Sequence, residues 1–168
     1  ESPLRASERT TRQLKRKPDQ DDHMCESGIV PMTSATAVIG LGSMGQGMAQ
    51  SLLRAGVKTH GFDIDPERVE QFRSEGGSSG SLEEIAADLE AVVVVVLNAS
   101  QTEQVLFGEA GIVRSLRKGA VVLACATVPP AFAQKMEERC AQFGVLYLDA
   151  PISGGSAKAA AGRLSVMA

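Results

Sequence analysis

Aromatic residues are scarce in this sequence: no tryptophan, one tyrosine and five phenylalanines among 168 residues. Single-stranded nucleic acid is held on stacked aromatic platforms, so that class of binding is not expected. A basic surplus is missing too. Seventeen Lys and Arg stand against twenty Asp and Glu, a formal net charge of -3. No global positive field is available to hold a phosphate backbone, and nucleic acid is not expected as a partner. The three cysteines, Cys25, Cys125 and Cys140, are widely spaced and odd in number. They offer neither metal-ligand spacing nor a disulfide framework, and read as free thiols in a reducing compartment. Cys125 and Cys140 are expected to be small buried residues. Long apolar runs are also absent. The longest, Ala91 to Leu97, falls far short of the roughly 20 residues a membrane span needs. The N-terminus has basic residues without an apolar core behind them, unlike a signal peptide. A cytoplasmic protein without a membrane partner is expected.

What is present is a regular alternation. Residues 1–34 are charged and Ser/Thr-rich, with no hydrophobic periodicity, and are expected to be a disordered extension. Met32 sits just ahead of the first apolar strand, a plausible natural start. From Ala35 the pattern predicts a strand to Ile39, a glycine turn and a helix from about Met44 to Ala55. Gly56 suits the helix end because it tolerates positive φ. A strand follows from Val57 to Phe62. Asp65-Pro66 reads as an N-cap with proline at the first helical position, opening a helix to about Ser74. Further helices are expected at Leu82–Asp88, Gln101–Phe107 and Ala131–Phe143, and strands at Ala91–Leu97, Ala120–Ala124 and Val145–Leu148. The helix at 131–143 carries Phe132, Met136, Cys140 and Phe143 at three- and four-residue spacing. Strands alternating with helices imply an α/β, doubly wound parallel sheet, and the valine run suits a central strand buried on both sides.

The turn itself is Gly40-Leu41-Gly42-Ser43-Met44-Gly45. A G-x-G-x-x-G that follows a strand and opens a helix is the phosphate-binding turn of a Rossmann dinucleotide site. Gly40 permits the tight turn, Gly42 lets the backbone approach a pyrophosphate, and Gly45 allows close helix–strand packing. The helix N-terminus offers unpaired N–H groups and a positive dipole end. Asp63 lies about twenty residues on, where a carboxylate accepts from the adenosine ribose hydroxyls. It would repel a 2′-phosphate, which favours NAD over NADP. Asp65 is an alternative acceptor. Arg68, the nearest cation, is expected a turn into the next helix rather than beside Asp63.

Three stretches carry a resemblance. Gly40 to Ala49 with Leu52-Leu53-Arg54-Ala55-Gly56 resembles the N-terminus of the 3-hydroxyisobutyrate (β-hydroxyacid) dehydrogenase family. Asp149-Ala150-Pro151-Ile152-Ser153-Gly154-Gly155, with Gly162, Leu164 and Met167, is similar to its substrate-binding signature. Ala126-Thr127-Val128-Pro129-Pro130 is similar to its Ser-Thr-Ile-x-Pro stretch. Leu97-Asn98-Ala99-Ser100-Gln101-Thr102-Glu103 and Lys158-Ala159-Ala160 most resemble its L-threonate dehydrogenase branch. That resemblance implies NAD-linked oxidation of L-threonate to 2-oxo-tetronate. It assigns Thr127 to the cofactor near its nicotinamide, and the backbone of Leu97 and Asn98 to the loop along the cofactor. Ser153, Gly154 and Gly155 would hold the substrate carboxylate.

Two departures stand out. Ala126 replaces the family's serine, and Lys158 stands where many relatives have glycine, either touching substrate or merely solvated. The family's general base is a lysine of a following all-helical domain, which also makes the homo-oligomer. The sequence ends at Ala168, before that domain, so it is expected to bind cofactor and part of the substrate without turning over alone. Other readings are 3-hydroxyisobutyrate dehydrogenase itself and an NADP-dependent tartronate semialdehyde or glyoxylate reductase. Such reductases usually carry Asn-Arg-Thr where this chain has Asp63-Ile64-Asp65. A non-catalytic NAD(P)-binding interaction module is the reading of another class, and residues 1–34 show no convincing reader motif for it.

Overall fold

The computed structural model describes residues 35–168; the expected extension at 1–34, with Cys25 and Met32, lies outside the described residues. The chain runs β1 (Ala35–Ile39), α1 (Ser43–Arg54), β2 (Thr59–Phe62), α2 (Pro66–Ser74), α3 (Leu82–Ile85), β3 (Leu89–Val94) and α4 (Ala99–Phe107). It continues through β4 (Val121–Ala124), α5 (Pro130–Ala141), β5 (Leu146–Asp149), β6 (Ile152–Ser153), α6 (Gly155–Ala160) and β7 (Ser165–Val166). Five strands form one sheet in the order β2-β1-β3-β4-β5, every pairing parallel. The short β6 and β7 pair antiparallel on their own. The expected doubly wound α/β architecture is the one observed.

Strand alternation sorts the core into two layers. Ala37, Val92, Val94 and Val122 pack with Leu106 of α4 and with Met136 and Cys140 of α5. Val38 and Val93, which point the other way, pack with Leu41, Ala49 of α1 and Phe72 of α2. The valine strand is central and closed on both faces. Each fully buried valine or leucine contributes about 1.5–3 kcal/mol relative to exposure, so this strand anchors both layers.

Several boundaries move, for identifiable reasons. The apolar run was expected as a strand from Ala91 to Leu97, but β3 spans Leu89–Val94. Val95 still donates to the carbonyl of Ile39 at 2.8 Å. Beyond it β1 has turned away, and Val96 and Leu97 have no ladder to join. Helix α4 starts two residues earlier than expected because Asn98 caps it, accepting from Gln101 N–H at 3.0 Å. The expected cap at Asp65-Pro66 is present, with Asp65 Oδ1 accepting from Glu67 N–H at 3.0 Å. Helix 82–88 is one α-turn continued by a 3₁₀ turn at Ala86–Asp88, opened by a reciprocal Ser81–Glu84 cap. The structured segment after β5 carries no pattern long enough to be read from sequence.

His60 on β2 is buried, and neither ring nitrogen has a partner in hydrogen-bonding geometry. Burial pushes its pKa below the ordinary 6.5, and the Lys58 ammonium adds to this against a smaller upward pull from the Ser79 backbone. The folded chain therefore resists a proton that the unfolded chain accepts near pH 6.5. Stability is expected to fall as pH drops through about 6.5, and His60→Leu should flatten that decline in urea titrations at pH 7 and pH 5. An unchanged slope in the variant would assign the acid sensitivity to other groups.

Candidate functional site

In a doubly wound sheet, ligands bind beyond the carboxyl ends of the strands, where the connections part to opposite faces. Here that point lies between β1 and β3: the chain leaves β1 for β2 on one side and returns to β3 on the other. The glycine turn follows β1, Asp63 follows β2, Leu97 and Asn98 follow β3, and Thr127 follows β4. The parallel sheet thus gathers these sequence-predicted residues along one edge. Ser153, Gly154 and Gly155 come after β5 at the same edge. Ile152 packs on the cluster that contains Cys125, which ties the start of their loop to the end of β4.

Contacts specify the turn closely. Gly40 has φ +100°, and a Cβ there would stand 2.1 Å from the carbonyl oxygen of Val95. A Cβ on Gly45 would meet the Gly40 carbonyl oxygen at 1.8 Å. These two glycines are consumed by packing: one lets the turn lie against the end of β3, the other lets α1 begin directly over the turn. Gly42 differs. A Cβ there would have only the Arg68 guanidinium within 4 Å, at 3.9 Å, so the space in front of it is open. Leu41 points inward and is buried, while Ser43 is exposed and Met44 half-buried. Gly42 is the N-cap of α1 and supplies no side-chain acceptor, and the first turn holds no acidic residue. The first N–H groups of α1 are left for an anion, at the positive end of a twelve-residue helix.

Asp63 is the other half of the site. Its side chain is only 6% exposed. Oδ2 accepts from Leu41 N–H at 2.6 Å, and Oδ1 accepts from Asp65 N–H at 2.9 Å. A carboxylate at the end of one strand thus holds the turn at the end of its neighbour. Asp65, the alternative acceptor, is engaged as the cap of α2 instead. One expectation is corrected here: Arg68 does sit beside Asp63, with Nη1 3.6 Å from Oδ2 and Nε 3.3 Å from Asp65 Oδ2. Helical spacing puts its Cα a turn away, but a long side chain folds back over the N-terminus of α2.

On the other side of the turn, Leu97 is 86% exposed, and its N–H is held by Gln101 Oε1 at 2.9 Å. Ile64, next to Asp63, is also fully exposed, a signal not used in reading the sequence. Thr127 is exposed, while Cys125 two residues earlier is buried. Burial pushes the Cys125 thiol up to about 11, which keeps it protonated and unreactive near neutral pH.

The loop of Ser153, Gly154 and Gly155 runs into α6, and α6 is docked on α1. A Cβ on Gly47 would fall 2.6 Å from Ala160 N. Ser51 Oγ donates to the Ala159 carbonyl at 3.0 Å, and Arg54 Nη2 donates to that of Ala160. The small residue and two donors on the back of the cofactor helix were not singled out from sequence. Lys158 lies with its stem along Gly154, its Cδ 2.9 Å from the position of a Cβ there, and its side chain is exposed.

Together, the parallel sheet, the open glycine turn at its switch point and the carboxylate beside it define a Rossmann-type NAD(P)-binding domain. The family described as the NAD-binding domain of 6-phosphogluconate dehydrogenase matches residues 35–168, and the chain belongs to that family. The L-threonate dehydrogenase of Cupriavidus necator is 47% identical over 137 residues, covering 81% of this chain and 46% of that protein. The one from Haemophilus influenzae is 42% identical over 136 residues, covering 80% and 45%. Among solved structures, a 3-hydroxyisobutyrate dehydrogenase from Salmonella typhimurium superposes with a TM-score of 0.75 at 39% identity, over 80% of this chain and 47% of that one. The chain spans about half the length of the curated relatives it matches. The resemblance read from the motifs agrees with these relatives.

Because the Gly45 contact is with backbone, it cannot be relieved by a rotamer change. Gly45→Ala is expected to cost about 1–3 kcal/mol, as overpacking does, measured by urea denaturation; stability equal to the parent chain would contradict the packing described.

Proposed function

We propose that residues 35–168 are the cofactor-binding part of an NAD-dependent dehydrogenase that oxidises a small hydroxy acid, with L-threonate as substrate and 2-oxo-tetronate as product. The observation that carries this reading is Asp63, a nearly buried carboxylate hydrogen-bonded to the glycine turn. An acceptor so placed would receive the adenosine ribose of a dinucleotide whose pyrophosphate would be held by Gly42, Ser43, Met44 and Gly45. NAD, when bound, supplies the hydride acceptor. The first N–H groups of α1 would hold the pyrophosphate, and Asp63 would accept from the ribose hydroxyls. By resemblance, the backbone at Leu97 and Asn98 would line the cofactor and the exposed Thr127 would contact it near the nicotinamide. Ser153 Oγ and the N–H groups of Gly154 and Gly155 receive the substrate carboxylate.

Proton removal from the substrate hydroxyl is assigned to none of these residues. By resemblance it belongs to a lysine of a helical domain following residue 168, and a positioned base of this kind is worth about 10²–10⁴-fold. That domain would also carry the contacts of a homo-oligomer. L-threonate is preferred because relatives bearing that name are 42–47% identical to this chain. The buried thiols of Cys125 and Cys140 suit a reducing, cytoplasmic setting.

Asp63→Ala is expected to lower NADH affinity about tenfold or more in calorimetric titration, the weight of a hydrogen bond to a charged group; unaltered affinity would remove Asp63 from the site. With a product of the same gene that includes the helical domain, kcat/KM for L-threonate should exceed that for 3-hydroxyisobutyrate by about tenfold or more, the scale of discrimination a specific pocket achieves. The reverse order would overturn the substrate, and turnover by residues 1–168 alone would overturn the assignment of the base.

A further inference from the structure

Helix α6 has six residues, too short a run to hold a helical conformation or a direction by itself. The loop of Ser153, Gly154 and Gly155 runs straight into it. Gly155 has nothing within 4 Å of the position of a Cβ, and neither glycine offers a side chain to anchor the loop. What steadies it comes from the other end of α6, where α1 supplies three contacts. The position of a Cβ on Gly47 lies 2.6 Å from Ala160 N, so the two backbones meet with no side chain between them. Ser51 Oγ lies 3.0 Å from the Ala159 carbonyl oxygen and 2.8 Å from that of Gly47, and its single proton is shared between the two helices. Arg54 Nη2 donates to Ser51 Oγ at 2.8 Å and to the Ala160 carbonyl. The carbonyls of Ala157, Lys158 and Ala159 each take a backbone N–H from residues 161–163, whereas that of Ala160 is met by Arg54. A guanidinium also suits the negative end of a helix.

We infer that Arg54, together with Ser51, is a positioning residue for the substrate loop: by clasping the end of α6 to α1 it sets where Ser153, Gly154 and Gly155 stand. The inference rests on the assignment of that loop to the substrate carboxylate and deepens it. Arg54 closes α1 about 16 Å along the helix axis from its first turn. It therefore acts through α6 and not on the phosphate turn. With the clasp removed, the loop samples more positions, and the entropy of ordering it falls on substrate binding. The first turn of α1 stays framed by Gly40, Gly45 and the end of β3, so dinucleotide binding is left as it was.

The test compares Arg54→Met, Arg54→Lys, Ser51→Ala and Gly47→Ala with the parent. In the 168-residue chain, Arg54→Met should speed amide hydrogen exchange at residues 154–160 about threefold or more, leaving residues 43–47 unchanged and NADH affinity within about twofold. In the product of the same gene that includes the helical domain, KM for the preferred hydroxy acid should rise about three- to tenfold, the net weight of one exposed hydrogen bond. KM for NAD and kcat should stay within about twofold. Ser51→Ala should act in the same direction and less. Arg54→Lys should regain most of the parent KM, because an ammonium can still donate to the Ala160 carbonyl. Gly47→Ala should also raise that KM by pressing a methyl group on the Ala160 backbone, although alanine favours the interior of α1. Equal rises in KM for the hydroxy acid and for NAD would overturn the inference and leave the substrate reading intact. So would unchanged exchange at residues 154–160, or faster exchange there with an unchanged KM. If the unaltered protein oxidises no small hydroxy acid, the substrate reading fails and the inference fails with it.

Discussion

The carbonyl oxygen of Val95 and the turn at Gly40 lie closer together than any side chain would allow. The rest of the site depends on that approach. It brings the end of β1 against the end of β3, and so defines the crevice where the two halves of the sheet part. Gly45 repeats the constraint from the other side, letting α1 start over the turn with its N–H groups facing the same crevice. Were the turn pushed outward by one methyl group, α1 would lose its direction relative to the sheet. The open space before Gly42 would then no longer be framed by both neighbours.

Asp63 translates this backbone geometry into chemistry. It bonds to Leu41 N–H on the neighbouring strand's turn and to Asp65 N–H on its own, so one carboxylate fixes two loops before any ligand arrives. A carboxylate already held in place by two backbone donors needs little reordering to accept further hydrogen bonds. Its counter-charge, Arg68, comes from a helix whose start is set by the Asp65-Pro66 cap. Cap, cation and carboxylate thus form one unit.

On the far side of α1 the same helix serves a different end. Gly47 lets α6 approach, and Ser51 and Arg54 satisfy carbonyls at the end of that short helix. The loop of Ser153, Gly154 and Gly155 leads directly into α6. The helix that faces the phosphate turn at its N-terminus therefore also steadies the loop assigned to substrate, so a shift in α1 would be felt at both ends of the site.

Sequence alone determined the alternation of strands and helices, the central place of the valine strand, the Asp65-Pro66 cap and the glycine turn with its carboxylate. These are local patterns: period, β-branching, capping residues and fixed spacing act within a few residues of themselves. Tertiary structure decided what depends on partners distant in the chain. It ended β3 at Val94, because β1 had already turned away and left Val96 and Leu97 nothing to pair with. It gave Gly47, a small residue in an amphipathic helix, its role through a partner more than a hundred residues on. It also folded the Arg68 side chain back over Asp63, because a long flexible cation near two carboxylates follows charge rather than the direction of its Cα. Spacing along a helix locates where a side chain begins, and only the surrounding field and packing determine where its charge comes to rest.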